Sequence, residues 1–372
     1  MSQMMGVINL IHEGEELQDL TMFRSSSSVP FGGRYRFIDF MLSSMVNSDI
    51  ANVAILANKK YTSLMDHIKN GKAWDLSRKR DGLFLLPPAD YDNFPGLDGD
   101  IKNFYWHLDY FYRCSQEYVV ISGSHILINI DYRDVLEYHI NQNADITVVY
   151  TGADNFRSDV CHKYTKIVDS NEQGYITGVE SRECLPDDNI SLDMYIMKRS
   201  LFIELVETSM IRGSKYFTDD AVIKNISQYC VAGYKHVGHI APMYSINDYY
   251  QHSMELLDSN VREQFFHSPG TIYTKVKDEP PSKYTHDADV RNSMIANGCH
   301  IQGKIENSIL FRGVKVHPEA IIKNSIIMQR CEIGKNAVLE NVILDKEVYI
   351  AEGSSLAGKH GEPKVVAKKM VI

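Results

Sequence analysis

Cysteine is scarce and scattered in this chain: six residues in 372 (Cys114, Cys161, Cys184, Cys230, Cys299 and Cys331), with no CxxC pair. That spacing argues against a disulfide framework and against a zinc site, and reduced thiols in a cytoplasmic protein are expected. Long hydrophobic runs are also missing. No stretch approaches the ~18 apolar residues of a membrane span. Met1 to Leu10 has neither a basic n-region nor a long apolar h-region, so no secretory signal is expected. Positive charge is in deficit, with 39 Lys and Arg against 48 Asp and Glu and a formal charge of −9. Without a basic face, a nucleic-acid partner is not expected. What is present is an apolar fraction of 44% and a charged fraction of 23%, enough for a sizeable core and, at this length, for two domains.

The N-terminal two thirds alternates short β-branched runs with helical stretches. Val53-Ala54-Ile55-Leu56-Ala57, Tyr118-Val119-Val120-Ile121-Ser122-Gly123 and Asp145-Ile146-Thr147-Val148-Val149-Tyr150 are uninterrupted apolar runs. Such runs suit strands covered on both faces. Asp131 to Ile140 reads as an amphipathic helix with an acidic start, and Tyr249 to Phe266 also reads as helical. Strand, helix, strand in this order predicts a doubly wound α/β sheet.

Near Pro280-Pro281 the helix signals stop and a repeat takes over. Glu306-Asn307-Ser308-Ile309-Leu310 returns as Lys323-Asn324-Ser325-Ile326-Ile327 and as Glu340-Asn341-Val342-Ile343-Leu344, a spacing of 17 residues (307, 324, 341). Apolar residues recur about every six, as at Ile327, Ile333 and Leu339. This period predicts a parallel β-helix, each flat face of a coil burying one residue. A sandwich would show strict alternation and hairpin turn pairs, which are not evident.

Val29-Pro30-Phe31-Gly32-Gly33-Arg34-Tyr35-Arg36-Phe37-Ile38-Asp39-Phe40, followed by Leu42-Ser43 and Val46-Asn47-Ser48, resembles the segment after the active-site loop of ADP-glucose pyrophosphorylases, the glucose-1-phosphate adenylyltransferases. Leu20-Thr21 fits the same pattern. Ser122-Gly123-Ser124-His125-Ile126 with Asp131-Tyr132 resembles the family's metal-site strand and the helix after it. The resemblance spans nearly the whole chain. It implies a nucleotidyltransferase-type doubly wound mixed sheet (1–250), a helical linker (251–290) and a left-handed parallel β-helix (291–372).

The reaction of that family needs a glycine-rich loop to cradle a triphosphate, basic side chains beside it, and carboxylates to hold magnesium. Here each device departs from the pattern. The loop Gly-Gly-x-Gly-Thr-Arg-Leu is matched by Ile11-His12-Glu13-Gly14-Glu15-Glu16-Leu17, where only Gly14 remains and Glu16 takes the arginine's place. One like-charge pair at ~4 Å costs roughly 1 kcal/mol in water and about 4 kcal/mol near a protein surface, so Glu13, Glu15 and Glu16 would repel a triphosphate. Ser26 stands where the family has a lysine, and Ser124 where it has a metal-binding aspartate. Pro242, in Ile240-Ala241-Pro242-Met243-Tyr244-Ser245, falls at the second metal aspartate. Asp98-Gly99-Asp100-Ile101-Lys102-Asn103 matches the nucleotide loop, and Arg182 lies near the sugar-phosphate lysine. The magnesium site is expected to be lost, with no cofactor, and Arg182 is a remnant of the sugar-phosphate pocket.

The resemblance implies an inactive D-type regulatory subunit that joins a catalytic adenylyltransferase subunit in glycogen biosynthesis, as a hetero-oligomer that is tetrameric by family analogy. Arg24, Arg34, Arg36 and Lys346 match or adjoin positions linked to phosphorylated effectors, with a sugar bisphosphate as first candidate. Arginine suits phosphate because its fork donates two parallel hydrogen bonds. For any one of these residues, a surface charge or structural ion pair is an equal alternative. His125, with no paired carboxylate evident, reads as structural. Ser25 to Ser28 read as a polar loop. The aromatic group Phe104, Tyr105, Trp106, Tyr110, Phe111 and Tyr112 reads as packing, not a base-stacking platform. Two further readings stay open: an active nucleotidyltransferase with a rearranged site, and a stand-alone sugar-phosphate or nucleotide sensor. A β-helix acyltransferase is a remote fourth, since it leaves the N-terminal domain idle.

Overall fold

The computed structural model describes residues 3–11, 13, 17–89, 99–156, 164–171, 173–182, 185, 187–359 and 361–372. It resolves into two compact units, each assembled from separate stretches of chain. The first comprises Met1–Glu13, Phe40–Pro242 and Ser268–Tyr273; the second comprises Gly14–Asp39, Met243–His267 and Thr274–Ile372. The linear division at residues 250 and 290 is therefore replaced by an interleaved one. Aromatic packing explains why residues 14–39 go with 243–267: Tyr35 stacks on Phe266 at 4.7 Å and Phe31 meets Phe265 edge-on at 6.1 Å. Gly32 is required there twice over, having φ +56° and a position where a Cβ would lie 2.8 Å from the Phe266 ring.

The first unit is built on a nine-stranded mixed sheet. Met4–Asn9 is central, paired in parallel with Asn52–Leu56 and with Tyr118–Ser122. Gly82–Leu86 continues the parallel edge beyond Asn52–Leu56. Asn189–Lys198 runs antiparallel between Tyr118–Ser122 and Ile146–Gly152, which in turn pairs in parallel with Val231–Lys235. The three apolar runs expected as strands are the strands Asn52–Leu56, Tyr118–Ser122 and Ile146–Gly152. The helix expected from Asp131 begins at Tyr132, because the Asp131 carboxylate caps it by accepting from Arg133 N.

The single helix expected from Tyr249 to Phe266 is two, Ile246–Glu255 and Ser259–Phe266. The break has a local cause: Asp258 takes an extended backbone and caps the second helix by accepting from Asn260 N. Of the aromatic group, Phe104 and Phe111 are core residues packed with Phe202 and Phe217, while Tyr105, Trp106 and Tyr112 are exposed.

The β-helix has three faces, each a stack of five short parallel strands. It starts earlier than residue 291, with Lys283–Tyr284 pairing His300–Ile301 and Asp289–Arg291 pairing Lys304–Glu306. Ile327, Ile333 and Leu339 are fully buried, one for each face of a coil. The Asn-Ser repeat has two jobs. Asn307, Asn324 and Asn341 turn a corner with φ of +45°, +46° and +51°, a conformation asparagine tolerates better than most residues. The serines form a ladder: Ser308 Oγ accepts from Ser325 N at 3.1 Å, and Ser325 Oγ accepts from Val342 N at 3.2 Å. Buried amides that the strands leave over are thereby satisfied. Among the described residues no helix is long and apolar enough to cross a membrane.

Candidate functional site

In the first unit, the positions that would run a nucleotidyl transfer are tied to one another. Ser124 follows the central strand Tyr118–Ser122 and is fully buried. Its hydroxyl donates to the Glu13 carboxylate, which also accepts from Asn58 Nδ2 at 3.2 Å. Pro242 ends the strand Ile240–Pro242, antiparallel to Ile126–Ile128 and opposite Ile126, two residues past Ser124. The pairing brings these two positions near each other in the sheet. They do not fit a magnesium ion. The serine hydroxyl is already given to Glu13, and a proline side chain offers no ligand atom.

Of the nucleotide-loop positions, Asp98 lies outside the described residues, and Asp100 and Asn103 are spent on the fold. Asp100 is buried and accepts from Asn9 Nδ2 at 2.7 Å and from Phe217 N at 2.8 Å. Asn103, also buried, accepts from Ala89 N at 2.8 Å and donates to Gly99 O at 3.2 Å. Gly99 survives for a steric reason, since a Cβ there would lie 2.1 Å from Lys215 O. Glu16 lies outside the described residues, as do Gly14 and Glu15; the Arg182 side chain does too, although its backbone ends the strand Ile176–Arg182.

Sequence reasoning missed a carboxylate for His125. Its Nε2 lies 3.6 Å from Asp193 Oδ2, so the expectation of a histidine without an acidic neighbour is corrected. Asp193 holds φ +52° at a register shift between Ser191 and Met194, and its Oδ1 accepts from Tyr195 OH at 3.2 Å. Burial, then the neighbouring Asp193 and Asp220, pushes the Asp219 carboxyl above its ordinary range. A charged residue interrupting the apolar run Ile190 to Ile196 was the available signal.

The second unit holds the candidate effector residues. Arg24 is 5% exposed and Asp345 is 1% exposed. Arg24 Nη2 meets Asp345 Oδ2 at 2.5 Å, while its Nε donates to Leu20 O at 2.8 Å. This arginine is committed first to a buried ion pair. Ser25 to Ser28, expected as a polar loop, are buried and bonded among themselves, with Ser25 Oγ 2.7 Å from Ser27 Oγ; Ser26 therefore belongs to the packed interior. Arg34 is exposed and donates to Tyr35 OH at 2.9 Å, with its guanidinium 4.9 Å from that ring. Arg36 N is bonded to the Asp39 carboxylate at 3.0 Å.

Lys346 is half-buried, and burial, then Arg36 and Arg24, push its ammonium down to about 6. Lys277 is lowered by burial and then by Arg312, Arg36 and Arg330. Lys277, Arg312 and Arg330 were missed from the sequence, yet for Arg312 a signal existed. Arg312, Gln329 and Lys346 are 17 residues apart, and each precedes a left-handed corner at Gly313, Arg330 or Glu347. Coils stack about 4.8 Å apart, so Arg312 and Lys346 share one corner of the β-helix at about 10 Å, with Gln329 between them. The Gln329 side-chain oxygen is buried without a hydrogen-bond partner.

Comparison with known proteins agrees with this architecture. Residues 13–159 match the nucleotidyl transferase family model, and residues 280–362 match the GlmU-like, C-terminal hexapeptide model. The chain is 42% identical over 374 residues to the glycogen biosynthesis protein GlgD of Bacillus subtilis (strain 168), covering 100% of this chain and 97% of that one. It is 41% identical over 323 residues to the protein of the same name from Geobacillus stearothermophilus, covering 86% and 83%. The glucose-1-phosphate adenylyltransferase of Geobacillus stearothermophilus is 30% identical over 326 residues, covering 83% and 80%. Identity of this extent, running from the nucleotidyltransferase-type sheet through the β-helix, makes the chain a member of the GlgD family of glycogen biosynthesis proteins.

Proposed function

We propose that this chain is a non-catalytic regulatory subunit of a glucose-1-phosphate adenylyltransferase, acting in glycogen biosynthesis in the cytoplasm. The observation that carries the reading is the hydrogen bond from Ser124 to Glu13. A carboxylate from the degenerate loop takes up the hydroxyl that replaces the metal-binding aspartate, and an incoming triphosphate would meet that carboxylate's charge. The chain assembles with a catalytic subunit in a hetero-oligomer and biases that partner between conformations, a coupling worth about 1–3 kcal/mol. The effector is a phosphorylated sugar, with fructose 1,6-bisphosphate as first candidate. The cluster of Arg36, Lys277, Arg312, Arg330 and Lys346, beside the Arg24–Asp345 pair, supports an anionic ligand.

The test is ADP-glucose formation by this chain alone, by a catalytic adenylyltransferase subunit alone and by the mixture, each with and without fructose 1,6-bisphosphate. The expected result is no product from the chain alone and a changed rate or effector response in the mixture. Magnesium-dependent turnover by the chain alone would establish the rearranged-site reading in its place. A silent chain that binds the sugar phosphate but leaves the partner unchanged would favour a stand-alone sensor.

A further inference from the structure

Lys346 occupies an environment that a permanently charged ammonium would not tolerate well. Among the described residues its hydrogen bonds run only through its backbone, with N donating to Asp345 Oδ1 at 2.7 Å and O accepting from Lys369 N at 3.1 Å. Among the described residues no ion pair joins its Nζ to a carboxylate. The acidic group that acts on it, Asp345, is engaged by Arg24 at 2.5 Å. The other charged groups facing it are Arg24 and Arg36, from the segment before the first long helix, and Lys277, from the stretch leading into the β-helix. Lys277 in turn faces Arg36, Arg312, Arg330 and Lys275. Cations converge from several stretches of chain; Arg312 also faces Arg34 and the carboxylates Glu279 and Asp39, while Asp345, the carboxylate that acts on Lys346, is engaged by Arg24.

Resting on the phosphate-effector reading above, we infer that an anion entering this cluster binds together with a proton taken up by Lys346, so that the protein senses ligand and pH jointly. The physical chain is short. Burial and like charge keep the amine largely neutral at physiological pH, consistent with its depressed titration near 6. A dianion supplies the missing countercharge. The Nζ lone pair then accepts a proton from solvent, and the ammonium gains three donors to give to the ligand's oxygens. No bond in the ligand is made or broken. Because the liganded state holds more protons than the free one, affinity weakens as pH rises above the free amine's titration point. Arg312, two coils further along the same column and always charged, anchors the anion at any pH.

The decisive measurement is titration calorimetry on the full chain with sodium sulfate, then with fructose 1,6-bisphosphate, in two buffers of different ionisation enthalpy at pH 7.5. Sulfate keeps a constant charge in this range, so any proton taken up goes to the protein. Close to one proton per sulfate is expected, with the dissociation constant rising close to tenfold from pH 6.5 to 7.5. Lys346→Arg should bind sulfate with no proton uptake and a flat pH profile, and Lys346→Met should bind more weakly, also without uptake. Wild-type binding without proton uptake would overturn the coupling while leaving the effector site standing. Proton uptake that persists in both variants would overturn the role of Lys346. If neither ligand binds at all, the effector reading and the coupling fall together. The wild-type calorimetry decides even where a variant does not fold.

Discussion

In the first unit, polar side chains at positions matching the family's reaction site are bonded within the fold: Ser124 to Glu13, Glu13 also to Asn58, and Asp100 to Asn9. In the second unit, among the described residues, Lys346 faces Arg24, Arg36 and Lys277 but one carboxylate, Asp345. The two regions diverged under the same physical constraint. A buried polar group must find a partner or carry a cost. A site that loses its ligand comes under pressure to satisfy itself internally, whereas a site that still receives an anion can keep an excess of one charge. On the proposed function, self-satisfaction in one unit and an excess of cations in the other would separate a vacated site from a working one.

The largest effect should come from breaking the one buried ion pair of the charged cluster. Asp345→Ala leaves the Arg24 guanidinium almost completely buried without its counter-ion, and about 3–5 kcal/mol of stability should be lost. The first unit offers a matched case in Lys166–Asp188, 2.7 Å apart with the lysine fully buried. There Lys166→Met should cost less, because the Asp188 carboxylate left behind is partly exposed and can be hydrated. Asp188 keeps Leu185 N at 2.6 Å and some access to water. Urea unfolding of both variants reads the comparison. Equal losses would mean that Arg24–Asp345 is an ordinary structural pair and not part of a strained cationic site.

Acidity should separate the units next. His139 is buried, its Nδ1 2.8 Å from Thr147 Oγ1, and burial pushes it down to about 4. The unfolded chain titrates near 6.5. Below that value the unfolded state takes the proton first, so stability falls as pH drops from about 6.5 towards about 4, by on the order of 3 kcal/mol for this residue. His236, also lowered to about 4 by burial, acts in the same direction. For Lys346 the window lies higher. Between about 6 and the ordinary lysine range the unfolded chain holds a proton that the folded one lacks, so stability rises with pH there. Urea midpoints across pH 4 to 9 should therefore climb in two steps, and Lys346→Met should remove only the upper one. Loss of the lower step in that variant would contradict the assignment.

How much of this was readable beforehand differs between the units for a physical reason. The β-helix stacks one coil on the next, so its contacts repeat at a fixed sequence distance and the Asn-Ser pattern exposes them. The same period puts Arg312 and Gln329 in line with Lys346. In the first unit the departures at Glu13, Ser124 and Pro242 were visible against the family pattern, but their consequence was not. That Glu13 would bond Ser124, 111 residues away, depends on how strands neighbour in the sheet. His125 and Asp193 meet for the same non-local reason. The interleaving of the units was hidden too, because it rests on Phe31 and Tyr35 packing against the helix that ends at Phe266.

The smallest effect tests what a left-handed residue signifies in each unit. Asn324 has φ +46° at a β-helix corner, and its N donates to Glu306 O at 3.1 Å. Asn324→Ala should cost about 1–2 kcal/mol, since an ordinary Cβ crowds the carbonyl in this conformation. Asn324→Gly should stay near neutral. Asp193 holds a similar φ of +52° beside His125, where its charge also raises Asp219. Asp193→Gly relieves both the backbone conformation and the like-charge contact, so it should stabilise the chain by about 1 kcal/mol. A glycine that is neutral at the corner but stabilising at the strand would mark Asp193 as a residue kept against the interest of the fold. Destabilisation by Asp193→Gly would instead show that its bonds to Tyr195 and His125 outweigh the strain, and that this corner of the first unit has been rebuilt as structure.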